Sequence, residues 1–137
     1  MQVTNSASRP EAREVEVLLV RLDGKGPDGK PQRIFEGSLL LQWQHQQLYP
    51  KSRTVGRATV AEAELLIACE DRLRLAPMLT RFNFPAAMRG ETHIWVTVVA
   101  RGLNGERQPM RIKIDWDGKW DRGSAEMATH LIVAPDP

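Results

Sequence analysis

From Met110 to Trp116 the chain reads Met-Arg-Ile-Lys-Ile-Asp-Trp, apolar and charged residues alternating without a break. Successive side chains of an extended chain point to opposite faces, so this run predicts a strand with one buried and one solvated face. The same period recurs elsewhere. Glu14 to Leu22 begins with strict alternation and is rich in β-branched residues, then becomes apolar on both faces. Arg33 to His45 reads as a longer strand whose Phe35, Gly37, Leu39, Leu41 and Trp43 share one face. Asp23 to Pro31 between them is full of turn formers and predicts the loop of a β-hairpin. His93 to Arg101 is a further strand, and Asn104-Gly105 after it is a strong hairpin signal. Asp117-Gly118 turns the chain, and Glu126 to Val133 is expected as the last strand, stopped by Ala134-Pro135-Asp136-Pro137.

Thr59 to Leu75 carries two competing signals. Thr59 with Glu62 fits a capping box, and Ala, Glu and Leu favour helix. Against this, Ala61, Ala63, Leu65, Ile67 and Cys69 alternate with a face holding Glu62, Glu64 and Glu70, so strand is preferred. Pro77 to Gly90 reads as a long connection.

About seven strands separated by turn signals suit an all-β chain folded as a two-sheet antiparallel β-sandwich of immunoglobulin-like or C2-like character. The Cys…Trp…Cys signature of antibody domains is absent. Residues 1–13 are polar with Pro10 and predict a flexible leader, leaving 14–137 as a single domain. A chain of 137 residues can bury one core without staples. The N-terminus has no apolar stretch of a secretory signal, and no apolar run nears the roughly 18 residues of a membrane span. A single cysteine, Cys69, excludes an internal disulfide framework, and the expected compartment is the cytoplasm.

The formal charge of +2 argues against a dedicated nucleic-acid binder. The middle of the chain is nonetheless biased: Lys51, Arg53, Arg57, Arg72 and Arg74 form a candidate anion-binding set. No catalytic motif is present. None of the five serines lies in Gly-x-Ser-x-Gly, and His45, His93 and His130 stand far apart without zinc-ligand spacing. The glycine-rich loop at Asp23 to Lys30 lacks a Gly-Lys-Ser/Thr ending and the regular oxygen ligands of an EF-hand. Neither a cofactor nor a metal is expected. Cys69 continues an apolar face and is followed by Glu70 and Asp71, which predicts a buried, unreactive thiol.

Two aromatic clusters remain. Trp116 and Trp120 flank the Asp117-Gly118 turn and are candidates for stacking a sugar or other small ligand, against a core and end-cap role. Arg81, Phe82 and Phe84, with Trp120, have the composition of a partner-binding surface, against the alternative that both rings plug the core. The expected function is a non-enzymatic, adaptor-like or accessory module that binds another protein, cut from or acting beside a larger one. A small-ligand or carbohydrate-binding module and a weak binder of nucleic acid or membrane surface are the alternatives.

Overall fold

The computed structural model describes residues 1–4, 12–43, 53–55, 60–77, 84–85, 87–103 and 105–137. In chain order the strands are β1 (Gln2–Thr4), β2 (Ala12–Lys25), β3 (Pro31–Leu40), β4 (Arg53–Val55), β5 (Val60–Glu62) and β6 (Leu66–Ala68). They continue as β7 (Leu73–Leu75), β8 (Ala87–Met88), β9 (Thr92–Gly102), β10 (Gly105–Glu106) and β11 (Met110–Trp116). A short helix, α1 (Ser124–His130), and β12 (Leu131–Pro135) follow. The protein is mostly β, and its strands pair antiparallel.

The main sheet runs β12-β11-β9-β2-β3, with β10 beside β9 and β4 beside β2. A small sheet runs β6-β7-β8, and β1 pairs with β5. Among the described residues the main sheet does not close into a barrel. Alternation dictates what each strand buries. Ile112, Ile114 and Trp116 of β11, Ile94, Val96 and Val98 of β9, and Val15, Val17, Leu19 and Leu22 of β2 all enter one core. The β2 series shifts parity between Leu19 and Leu22 because the β2–β9 register slips between Leu19 and Arg21, a bulge that keeps both leucines inward. Leu73 and Leu75 of the small sheet join the same core, as do Leu41, Trp43, Ala63 and Leu65. The Leu41 N–H still donates to the Val17 carbonyl of β2 while Leu41 bridges to Pro77 and Trp43 to Ala63, so the continuation of β3 links the main sheet to the segments around Pro77 and Ala63.

The expected hairpin is present as β2–β3, but its loop is shorter than the turn formers implied. Asp23, Gly24 and Lys25 are strand residues. The turn closes at Gly26–Lys30, where Gly29 takes a φ of +77° and the Asp28 carboxylate accepts the Lys30 N–H. The described residues of Thr59–Leu75 form the strands β5, β6 and β7, with a turn between the last two and no helix, as alternation favoured over the capping box.

Three expectations need correction. The segment taken as a leader supplies β1, whose residues pair with Val60–Glu62, and the first residues of β2. Glu126 to Val133 is not one strand: Ser124–His130 is helical and only then does β12 begin. Ala, Met and Glu are strong helix formers, with Glu126 in the first turn and His130 in the last, whereas β-branched Ile132 and Val133 favour the strand. Cys69 is half-buried at the β6–β7 turn, where its N–H donates to the Arg72 carbonyl, and it is not a member of the core. The alternation changes parity after Leu65: Leu66 and Ala68 stand opposite the buried Leu75 and Leu73 and pack against the core, while Ile67, opposite Arg74, is exposed, so Cys69 falls on the outward side.

Candidate functional site

Among the described residues, those singled out in the sequence do not gather into one site. Lys51, Arg57, Arg81 and Phe82 lie outside the described residues, and of Arg53 only the backbone, in β4, is described. Arg72 precedes β7 and Arg74 lies within it, both exposed on the small sheet, whereas Arg53 pairs with Val15 of the main sheet. Arg72 is paired with Asp71, to which Arg89 also reaches. Phe84 is buried and meets Phe35 edge to face, centroids 5.1 Å apart, so it fills the core rather than facing a partner. Trp116 is buried as well, and its indole N–H donates to the Lys119 carbonyl at 2.7 Å. It therefore offers no face for stacking. Trp120 is half-buried.

The outward face of the main sheet carries a connected ionic network. Trp95 of β9 lies there beneath two cations, the Arg111 guanidinium 5.6 Å and the Lys113 ammonium 6.0 Å from its ring centre. Its other cross-strand neighbour, Asp23, is only 1% exposed. Arg21 Nε donates to both oxygens of Asp23 at 2.8 and 3.0 Å, and Arg111 Nη2 reaches it at 3.3 Å. A buried carboxylate held by two guanidinium groups is satisfied in place. One step along the strands, His93 faces Asp115 across the β9–β11 ladder. Its Nδ1 lies 2.8 Å from Asp115 Oδ1 and its Nε2 lies 2.7 Å from Glu91 Oε1. These bonds to Asp115 and then Glu91 raise the His93 pKa above its ordinary 6.5. Burial pushes the Asp115 carboxyl up, but hydrogen bonds from His93 and Lys113 outweigh it and leave the group below its ordinary value. Beyond the strand end, the Lys119 N–H and the His130 ring together hold Asp117 low. The two carboxylates bonded to His93 sit at opposite ring nitrogens. Among the described residues no three His, Cys, Asp or Glu side chains converge to hold a metal ion. No described helix is long and apolar enough to cross a membrane.

The other distinctive region is apolar and lies at the β12 edge. Beneath β11 and β12 the described residues cover the inner face of the main sheet incompletely. There an open cleft of about 270 Å³ separates Met1, Leu65 and Leu66 on one side from Met110, Ile112 and Val133 on the other. Ile132, Val133 and Met110 are 58%, 46% and 40% exposed. β12 has one strand neighbour among the described residues. The Asp136 N–H donates to the Arg111 carbonyl, and the Asp117 N–H to the His130 carbonyl. Even-numbered residues of β12 thus turn their backbone groups toward β11, and Leu131, Val133 and Pro135 turn theirs outward. Proline has no N–H, and that of Leu131 is used by the Met127 carbonyl at the helix end. The outward edge presents three carbonyls and one donor, Val133 N–H. Sequence pattern marked Ile132 and Val133 as strand residues; their position on an edge follows from strand order.

Comparison with known protein families, with curated proteins and with solved structures found no match.

Proposed function

We propose that the protein is a non-enzymatic interaction module whose partner is another protein, received at the β12 edge and the apolar cleft beneath it. In this reading the main and small sheets are the two layers of an immunoglobulin-like or C2-like β-sandwich, open on one side. The observation that carries the proposal is the coincidence of that open side with a strand edge that has no further neighbour among the described residues. Ile132 and Val133 project to opposite faces of the edge, and the cleft continues the apolar surface inward. An added strand would gain main-chain hydrogen bonds from the edge and specificity from alternate side chains seated in the cleft. Volume favours a docked segment: about 270 Å³ lies at the low end of the roughly 300–1,000 Å³ typical of small-molecule pockets and suits one or two side chains. Edge chemistry favours a foreign strand over a second copy. Self-pairing brings carbonyls of Leu131 and Pro135 together without a donor, a common way for edges to resist aggregation. The sugar-stacking alternative loses support with Trp116 buried, and the polyanion alternative with Arg72 held by Asp71.

A displayed library of extended peptides presented to the folded domain tests this. Enrichment of segments with alternating apolar residues is expected, their binding lost in Val133→Lys and retained in Trp120→Ala, with both variants melting as cooperatively as the parent. Enriched peptides that bind Val133→Lys undiminished, or no enrichment at all, would place the interface elsewhere.

A further inference from the structure

A neutral imidazole carries one N–H and one bare nitrogen, so it can donate to only one of two carboxylates. At His93 both ring nitrogens lie within hydrogen-bond distance of carboxylate oxygens, on Asp115 and on Glu91. Only the doubly protonated ring can donate at both ends. With the neutral ring, one carboxylate would face a lone pair at less than 3 Å, and that contact would be repulsive. The three residues belong to different pieces of the fold: His93 is the second residue of β9, Asp115 lies near the end of β11, and Glu91 sits in the turn before β9. Thr92 Oγ1 closes that turn onto the Gly90 carbonyl. Gly118, at the next turn, lies so close that a side-chain carbon there would stand about 3.0 Å from the Gly90 and Glu91 backbone. Its φ of +86° makes that position doubly selective for glycine.

We propose that His93 is a proton-operated clamp that ties β9, β11 and the Gly90–Glu91 turn together while its ring holds two protons, and frees Glu91 when one is lost. The charged groups facing it are Asp115 and Lys113 from β11, Lys25 from β2, and Glu91. Lys113 Nζ holds the second oxygen of Asp115 at 2.9 Å, so Asp115 stays placed when His93 is neutral and Glu91, 71% exposed, is the arm that releases. The sign follows from linkage. A histidine raised on folding contributes stability that is complete below its ordinary 6.5 and is lost as pH climbs through the raised value. Asp115, lowered on folding, contributes above its ordinary 3.8 and is lost as pH falls through its folded value. The clamp is therefore fully closed between those two ordinary values and opens on the alkaline side. It does not depend on how the β12 edge is used.

Nitrogen NMR of the His93 ring, with amide-exchange protection factors for Glu91 and Thr92 corrected for intrinsic rates, tests the clamp across pH 5–9. A midpoint above 6.5, loss of protection across that midpoint, and a lower midpoint in both Glu91→Gln and Asp115→Asn are expected. Glu91→Gln alters an exposed side chain, so its folding is not at issue. A midpoint at or below 6.5, one that Glu91→Gln leaves unmoved, or protection unchanged across it would overturn the proposal.

Discussion

The two faces of the main sheet are built from the same strands and obey different rules. On the inward face Ile94, Val96, Val98, Ile112, Ile114 and Trp116 are buried among other apolar groups, with no charge among them. On the outward face the alternate positions of β9 and β11 are His93, Trp95, Thr97, Arg111, Lys113 and Asp115, and nearly every charge has a named partner. Inward, the free energy comes from removing apolar area from water and is indifferent to register, provided parity is kept. Outward, it depends on which residue stands opposite which, because an ion pair is worth something only at contact distance. The inward face thus resists change through volume, the outward face through pairing.

The largest effect should come from volume. Phe84 is buried against Phe35 with ring planes 78° apart, and nothing in its sequence context distinguished core from interface. Phe84→Ala should cost about 3–5 kcal/mol, the range for emptying an aromatic site in a core. Urea unfolding followed by tryptophan fluorescence measures it. A cost within about 0.5 kcal/mol, typical of a surface substitution, would return Phe84 to the surface and break the contrast between the faces.

That residue also marks how far the sequence could be read. Period-2 alternation located β2, β3, β9 and β11 and their inward residues, because burial of one face forces parity and parity is visible in a linear chain. Whether Phe84 or Trp120 turns inward depends on how a connecting segment folds back, which periodicity does not encode. The helix at Ser124–His130 was missed for a related reason: Ala and Met suit either period, so the segment had to be decided by propensity, which pointed to helix. The outward network was invisible in another way. His93 with Asp115 and Asp23 with Arg111 are pairings between residues far apart in the chain, set by strand order and register. Read alone, His93 was an isolated histidine and Asp23 a loop residue. The β12 edge could not be identified from Ile132 and Val133 without knowing which strand ends the sheet.

The next effect tests pairing where it is buried. Asp23→Asn preserves shape and removes the charge that Arg21 and Arg111 share. Fully buried pairs lose about 3–5 kcal/mol when one partner is removed, but both arginines are partly exposed and can turn to water. The expected cost is about 1–3 kcal/mol, that of leaving a buried polar group underpaired. Chemical denaturation at neutral pH reads it, and a neutral or stabilising result would mean that Asp23 is tolerated on this face without contributing to stability.

The smallest effect supplies the sharpest control, since it holds chemistry and position nearly constant. Arg33 and Glu36 of β3 stand directly opposite Asp23 and Arg21 of β2, so two arginine–carboxylate pairs occupy neighbouring rows of one face. Arg33 bonds Glu36 with both side chains about 60% exposed, whereas in the other pair the carboxylate is 1% exposed. Water screens the first pair and competes for its hydrogen bonds, and two long side chains lose rotamer freedom to make it. A double-mutant cycle with Arg33→Ala and Glu36→Ala should give a coupling of about 0.2–0.5 kcal/mol that fades in 1 M salt, where charges beyond roughly 3 Å are screened. The matching cycle at Arg21 and Asp23 should give a larger coupling that salt changes less. Equal couplings would show that burial of Asp23 does not set the strength of its pairing. The outward face would then be a solvated surface throughout, and the difference between the two faces would reduce to polarity alone.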